Sequence, residues 1–562
     1  MATLKIKLKG QDHSSYLAGD DRGFELYQLD QAYTVESPTR GDIPEQILEI
    51  DDNKIVEFEF EDNTVWMADN ESLTTLFQQE IKRSADGDEL YLPDELESNE
   101  QDRGIIKKIG IKLVKVFVKK NIIKPKMLEM ATNLENKQLP FPAEDFKLVE
   151  YGVLAACSPE IELSKLKFSE TSKEADLDVS SRYLLLLHGT ASSTFSSFGD
   201  LKDSKEWKDL IKGYGKNHLL AFQHRTLTAS PLENILELVK VLPSGIELDL
   251  VSHSRGGLLA DLLARFSTDS RGFDDTEIEL LKKHDRVVDQ KVIKQISDIF
   301  KTKKIKVKSM VRVACPANGT TLASNRLNIF LNVTFNLVGL AVGQVGNPIF
   351  VAFKEFLMEA VACKDDVDVL PGLEAMNPQS PFIKAMNYQA SEIEIDFPLY
   401  VVGGSGELSI SFKTLVVILG KFFFMRKNDL VVDTESMKWG SRRVSGKVFV
   451  FIEKSGDINH FKYFCTPNTL KALIAGLSAV TDGFELKLAD KERGIAGIES
   501  GAYKSDNVSG NRAIAILIPG IMGSNIGEKD DLLWINYWRF LKGELKNLAY
   551  DAEVKGNYPL IL

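Results

Sequence analysis

The chain has 562 residues, 44% hydrophobic and 27% charged, which is enough apolar material for ordinary buried cores and more length than one domain needs. Its formal net charge of −12 excludes a general nucleic-acid binder, because phosphate contacts need a basic surface. The four cysteines, Cys157, Cys315, Cys363 and Cys465, are far apart without metal-ligand spacing or a disulfide framework, and no signal-type apolar segment opens the chain, so a cytoplasmic location is expected.

Residues 1–100 alternate apolar and acidic positions, as in Ile55-Val56-Glu57-Phe58-Glu59-Phe60, with turn signals such as Asp51-Asp52-Asn53. This pattern predicts a small β-rich N-terminal domain, and it carries no catalytic constellation. The acidic run from Asp94 to Glu100 reads as a linker. Residues 101–179 then read as a basic amphipathic helix and connector. Lys108, Lys112, Lys115 and Lys119 fall on one helical face, and Ile106, Ile109, Leu113, Val116 and Phe117 on the other. Such a helix either packs on a neighbouring domain or lies on an anionic membrane, which makes residues 104–127 a candidate peripheral contact.

Leu184 to Leu187 form an apolar run too short for a helix, as a strand buried on both faces should be. The chain then turns at Gly189 in His188-Gly189-Thr190, where a missing side chain lets backbone N–H groups approach a ligand. His224 and Arg225 follow another strand, His218 to Phe222, and read as strand-end polar residues. The strand Ile246 to Val251 leads into Ser252-His253-Ser254-Arg255-Gly256-Gly257, and the spacing of Leu258, Leu259, Leu262, Leu263 and Phe266 predicts a helix directly after it. A serine between strand and helix sits on a sharp turn that needs small residues two before and two after it, here Ser252 and Gly256. Ser254 is therefore a candidate nucleophile. Candidate oxyanion donors are the N–H groups of Arg255 and of the residues around Gly189 and Thr190.

Residues 270–306 are highly charged and predict a solvated helical excursion. Leu327 to Phe353 contain no charged residue, yet Asn328, Asn332, Asn336, Gln344, Asn347 and Pro348 interrupt the stretch too often for a membrane span. The region about 325–385 reads as a cap over the active-site end or as a buried helical hairpin. Residues 404–427, rich in Phe and Leu, form a further excursion expected to line or flank the pocket. Of the seven histidines, only His284 and His460 follow Ser254. His284 lies in a charged helical stretch, whereas His460 follows the strand Val448 to Ile452 by a short turn, where a base for the serine belongs. Asp429 precedes His460 in the chain order Ser, Asp, His, and Asp433 is its competitor in the same loop.

Together these residues resemble the α/β-hydrolase superfamily over residues 180–480, and within it the lipase-like branch of GPI inositol-deacylase-like and lecithin:cholesterol acyltransferase-like proteins. The matching pieces are His188-Gly189-Thr190, the elbow from Ser252 to Gly257, Cys315-Pro316-Ala317-Asn318-Gly319-Thr320, Asn428-Asp429-Leu430-Val431 and Asn459-His460-Phe461. Ser252 and Leu430 stand where that pattern has glycine. The resemblance implies an α/β fold with a mostly parallel sheet and helical cap insertions. It implies a triad of Ser254, Asp429 and His460 working through an acyl-enzyme, without a metal or organic cofactor, on a hydrophobic carboxylic ester or lipid. A non-catalytic or partner-gated scaffold or signalling protein on the same fold is the alternative, its protein partner unknown.

After a linker over 481–511, Ala513 to Ile518 form a buried-type strand, followed by Pro519-Gly520-Ile521-Met522-Gly523-Ser524. This piece is similar to the opening of a lecithin:cholesterol acyltransferase-like hydrolase, but no second elbow follows. Residues 512–562 therefore read as the start of a truncated second hydrolase-like domain, or as an extra element packed on the first.

Overall fold

The computed structural model describes residues 3–15, 23–36, 43–78, 80–83, 88–97, 108–120, 127–137, 153–157, 177–215, 218–320, 327–342, 348–362, 370–404, 414–415, 417–418, 429, 431–444, 446–454, 460, 462–488, 527–528 and 531–532. Residues Met1–Gly497 form one compact unit and Ile498–Leu562 a second. Of the second, an antiparallel pair, Gly527–Glu528 with Asp531–Leu532, is described. The stretch 513–524 lies outside the described residues.

Period-two alternation builds the N-terminal part. In β1 (Leu4–Lys9), Leu4, Ile6 and Leu8 point inward while the lysines between them reach solvent. The chain continues through β2 (Tyr27–Thr34), β3 (Glu45–Ile50), β4 (Lys54–Phe60), β5 (Val65–Ala68), α1 (Asn70–Leu76), β6 (Ile81–Lys82), β7 (Glu89–Tyr91), β8 (Glu95–Glu97) and β9 (Lys108–Lys119). Two sheets result, ordered β3-β1-β7-β6 and β2-β9-β4-β5, with β8 pairing β9.

Two sequence expectations are corrected here. The stretch read as an amphipathic helix is β9, the strand between β2 and β4. Its β-branched residues Ile109, Ile111, Val114, Val116 and Val118 suit a pleated surface better than a helix. Its lysines are held within the chain. Lys115 is buried with Nζ 3.2 Å from Glu57 Oε1, Lys112 lies 2.6 Å from Glu59 Oε1, and Lys119 lies 2.7 Å from Glu359 Oε2. Residues 104–107 and 121–126 of the candidate peripheral contact lie outside the described residues. The acidic run is likewise not a linker over residues 95–97, because β8 pairs with the start of β9. Among the described residues no helix is long and apolar enough to cross a membrane.

After α2 (Met127–Lys137), the second part is mixed α/β around an eight-stranded sheet. Its strands are β10 (Val153–Cys157), β11 (Arg182–Leu187), β12 (Leu219–Gln223), β13 (Glu247–His253), β14 (Lys306–Val313), β15 (Leu399–Gly404), β16 (Lys447–Glu453) and β17 (Glu485–Leu488). The order is β10-β12-β11-β13-β14-β15-β16-β17, parallel throughout except for the edge strands β10 and β17. Leu184 to Leu187 in β11 are fully buried, as a run covered on both faces requires. The β17 pairing carries the sheet past the expected boundary at 480. From β11 the chain moves outward to β12 and then returns to the other side of β11 as β13. The loops leaving β11 and β13 therefore diverge at their carboxyl ends, where parallel sheets open a crevice.

Helices flank the sheet: α3 (Thr194–Phe198), α4 (Lys205–Tyr214), α5 (Pro231–Val241), α6 (Gly256–Thr268), α7 (Asp275–Lys283) and α8 (Val287–Lys303). The charged excursion expected to be solvated is α7 and α8, and only its outer face is. Val292, Ile293, Ile296 and Phe300, at helical spacing, are buried where α8 packs on α5 and α6.

The uncharged insertion forms α9 (Leu327–Val342) and α10 (Pro348–Ala362), which pack on each other and on the N-terminal strands. β5 is an edge strand, and two asparagines one helical turn apart on α9 complete it. Asn336 Oδ1 accepts from Val65 N at 2.7 Å and its Nδ2 donates to Val65 O at 2.6 Å; Asn332 makes the same pair of bonds with Met67 at 2.7 and 3.0 Å. The interruptions that exclude a membrane span thus stand in for a neighbouring strand. From α10, Glu359 accepts from the Tyr27 hydroxyl at 2.8 Å and pairs with Lys119, while Lys354 lies 2.6 Å from Glu57. From the 404–427 excursion, Thr414 donates to Asp62 through its N–H and hydroxyl; the rest of that segment is mostly outside the described residues. Replacing Asn332 and Asn336 together by leucine should lower the unfolding free energy by about 2–4 kcal/mol, since it leaves main-chain groups of β5 unpaired. The shift of the denaturant midpoint reads this directly.

Candidate active site

Ser254 lies between β13 and α6 with φ of 52°, a left-handed backbone unusual for serine and expected at a strand-to-helix elbow. The turn is closed by Gly256. A Cβ there would stand 2.2 Å from the Leu187 carbonyl oxygen and 2.6 Å from that of His188. The small residue is therefore demanded by the end of β11, not by contact with Ser252. Gly189 is required in the same way, since a Cβ on it would meet Ser254 Cβ at 2.8 Å.

His460, beyond the end of β16, points Nε2 at Ser254 Oγ, 2.7 Å away, and Nδ1 at Asp429 Oδ2, 2.8 Å away. A carboxylate only accepts, so Nδ1 carries the proton and Nε2 is the acceptor for the serine hydroxyl. The carboxylate at Nδ1 is that of Asp429. Asp429 Oδ1 accepts from Val431 N at 3.1 Å and Val432 N at 2.8 Å, and Oδ2 also accepts from the Tyr463 hydroxyl at 2.9 Å. Burial pushes the Asp429 carboxyl up, but the His460 ring and these hydrogen bonds outweigh it and hold the group below its ordinary value. Ser254, Asp429 and His460 are all buried.

The Cys315 to Thr320 piece, following β14, braces the segment that bears Asp429. Thr320 Oγ1 donates to the Val431 carbonyl, Asn318 N donates to Ser436 Oγ at 3.1 Å, and Ser436 Oγ donates to the Gly319 carbonyl. Thr434 Oγ1 donates to the Gly404 carbonyl at 2.7 Å, which ties the same segment to the end of β15.

At the opposite side of the serine, the expected donors separate. The Gly189 N–H donates to Ser197 Oγ at 3.3 Å, so it is already engaged. The N–H groups of Thr190 and Arg255 have no protein acceptor among the described residues and border the elbow. The Arg255 side chain is buried and structural: it donates to Gly372 O at 3.2 Å, Asn234 Oδ1 at 2.9 Å and Ala229 O at 2.6 Å. Thr190 Oγ1 donates to Met376 Sδ at 3.3 Å. The return of the insertion, residues 370–376, therefore reaches both oxyanion candidates. His224 does lie at this end of the sheet. Its ring stacks on His188 with centroids 4.0 Å apart, and its N–H donates to His188 Nε2 at 3.1 Å. Burial pushes His188 down to about 3, so both rings stay neutral packing elements near neutral pH. His284 is exposed on the surface after α7, as expected.

Tyr463, His253, Ser197 and Glu135 carry contacts that sequence reasoning did not assign. Tyr463 follows His460 by three positions and could have been suspected from proximity. Glu135 in α2 gathers the N–H groups of Thr226, Leu227 and Thr228 after β12, a link across some ninety residues that no local pattern announces.

A family model described as Domain of unknown function (DUF7379) matches residues 156–278 and 286–478. Among curated proteins none matches the chain in sequence. Solved structures similar to it include EstA from Clostridium botulinum, 12% identical, covering 64% of this chain and 99% of that one with a TM-score of 0.34. Lipase 1 from Pelosinus fermentans is 14% identical over 54% of this chain and 99% of its own, with a TM-score of 0.35. The Staphylococcus hyicus lipase is 14% identical over 58% and 98%, with a TM-score of 0.31.

Proposed function

The chain belongs to the family described as Domain of unknown function (DUF7379), and from its own site we propose that it is a serine ester hydrolase of α/β-hydrolase type, in the lipase-like manner that its motifs resemble. The observation that carries this reading is the line of hydrogen bonds from Ser254 Oγ through His460 to Asp429, 2.7 and 2.8 Å long, on a left-handed serine.

In this reading Ser254 Oγ attacks the ester carbonyl while His460 Nε2 takes its proton, and Asp429 holds the other ring nitrogen protonated and steadies the imidazolium. The tetrahedral oxyanion sits at the N–H groups of Thr190 and Arg255. Collapse expels the alcohol, which leaves with the proton from His460, and the acyl group remains on Ser254. Water then attacks the acyl-enzyme with His460 again as base, releasing the carboxylic acid and restoring the serine. The region 325–385 acts as the cap, with the N-terminal strands as the non-catalytic part that holds it. Met376 beside Thr190 supports an apolar acyl group as the preferred substrate part.

The test is fluorophosphonate labelling of the full chain, with the adduct mapped by mass spectrometry, alongside turnover of p-nitrophenyl esters from acetate to palmitate. An adduct on Ser254 and saturable turnover are expected. The reading fails if neither appears. Within it, Tyr463→Phe removes one of the hydrogen bonds that hold the Asp429 carboxylate, and should lower kcat about tenfold with KM unchanged. Steady-state kinetics on the best ester checks this.

A further inference from the structure

Three segments meet around Ser254: the loop after β11 that carries Gly189 and Thr190, the elbow, and the loop that carries His460. The mechanism above leaves one buried ring among them without a role. His253, the last residue of β13, points Nε2 at the carbonyl oxygen of His460, 2.7 Å away, and Nδ1 at Ser197 Oγ, 3.2 Å away. A carbonyl can only accept, so Nε2 carries the ring proton. Burial, followed by the nearby His460 ring, pushes the group down to about 3, so the imidazole is neutral and Nδ1 accepts from the Ser197 hydroxyl. Ser197 Oγ in turn accepts from the Gly189 N–H at 3.3 Å, with Ser192 Oγ 3.0 Å away. The direction of every bond is then fixed. Gly189 N–H donates to Ser197, Ser197 O–H to His253, and His253 N–H to the main chain of His460.

We propose that His253 and Ser197 are positioning residues that lock the Gly189–Thr190 loop to the backbone of His460 across the nucleophile. The chain of bonds joins the loop that offers the oxyanion donor to the loop that offers the base, through groups that touch neither substrate nor reacting atoms. A planar, neutral ring with a donor at one end and an acceptor at the other spans this gap without flexible torsions beyond χ2. The consequence for catalysis rests on the ester-hydrolase reading; the premise rests on hydrogen-bond geometry alone.

The experiment uses the full chain with p-nitrophenyl butyrate, and expresses kcat per site titratable by fluorophosphonate, so that misfolded protein drops out. His253→Phe removes both bonds and should lower kcat per site about 10²-fold, with KM within about twofold of wild type, as a misplaced base and oxyanion donor would. His253→Gln keeps an N–H for the His460 carbonyl and should recover part of the loss. Ser197→Ala should lower kcat in the wild type and add little in the His253→Phe background, because one chain of bonds is already broken. If His253→Phe does not fold, the glutamine and alanine variants carry the same comparison. Unchanged kcat per titratable site in these variants, or fully additive losses, would overturn the proposal. Independently of activity, ¹⁵N histidine NMR should find His253 as the neutral Nε2–H tautomer, unchanged from about pH 5 to 9, among its titratable neighbours His460, Asp429, Tyr463 and His188. An Nδ1–H tautomer, or titration within that window, also overturns it. Wild-type protein that neither turns over esters nor takes the phosphonate, but shows the expected tautomer, would defeat the ester-hydrolase reading and leave the locking contact standing.

Discussion

Ser254→Ala should reduce ester turnover by about 10⁴- to 10⁶-fold while leaving the fold intact. The size of the loss follows from the arrangement. The hydroxyl is the atom His460 Nε2 is aimed at, 2.7 Å away. What survives is whatever binding and the oxyanion donors give to direct attack by water. A companion substitution separates chemistry from architecture. With φ of 52°, Ser254 holds a backbone conformation that disfavours any residue with a Cβ. Ser254→Gly should therefore be as inactive as the alanine variant yet more stable by about 1 kcal/mol, because glycine relieves that strain. Residual rate and denaturant midpoint, measured on the same preparations, check both halves. Turnover within tenfold of wild type in either variant would remove Ser254 from the mechanism.

The largest loss of stability is expected from Asp261→Ala. Asp261, on α6, is buried with Arg312 Nη1 3.2 Å and Arg443 Nη2 2.7 Å from its carboxylate, and it accepts from Ser441 N at 2.8 Å. Arg312 also donates to the carbonyls of Met437 and Trp439. The carboxylate thus pairs with two buried guanidinium groups and fixes residues 437–443, the continuation of the segment that bears Asp429. Without it, both cations are stranded out of water, at a cost of about 3–5 kcal/mol, a large part of a typical domain's stability. Replacing Asp261, Arg312 and Arg443 together by apolar residues of matching volume should cost far less, because no charge is left unpaired. The pH dependence has a definite sign. Burial raises the Asp261 carboxyl, but Arg312 and Arg443 outweigh it and hold it below the ordinary carboxylate range. Its native value is therefore below its unfolded one. The stability it contributes is present above the unfolded value and disappears as pH falls through the native one. Acid unfolding of the wild type should be steeper than that of Asp261→Ala, as circular dichroism across an acid titration would record.

The parts of the site legible in the sequence are those with a local signature. A four-leucine strand, a serine between strand and helix, and a histidine just after a strand can each be read from their neighbours, and the structure brings Ser254 and His460 together. The choice of Asp429 over Asp433 could not be made from chain order. It depends on the main-chain N–H groups of Val431 and Val432 closing on the carboxylate, and on Thr320 bracing the loop from β14. A loop glycine such as Gly189 exposes its N–H group and so reads as an oxyanion donor, yet Ser197, eight residues on, captures it. The misreading of β9 has a different origin. Lysines at 108, 112, 115 and 119 satisfy a helical period, and their carboxylate partners in β8, β4 and α10 are unknowable until the chain has folded. The density of Ile and Val was the better signal. In α8 the dense charge of the outer face hid an inner face that meets α5.

The two amides of α9 that complete the β5 edge make the halves of this molecule obligate companions. A strand edge deprived of Asn332 and Asn336 is a template for any passing strand, including the same edge of a second copy. Fragments made by cutting the chain after β9 should therefore precipitate when expressed separately and stay soluble when expressed together. A mutation that loosens the α9 contact should then be noticed in the cell first as degradation or inclusion bodies, well before any defect in chemistry becomes measurable.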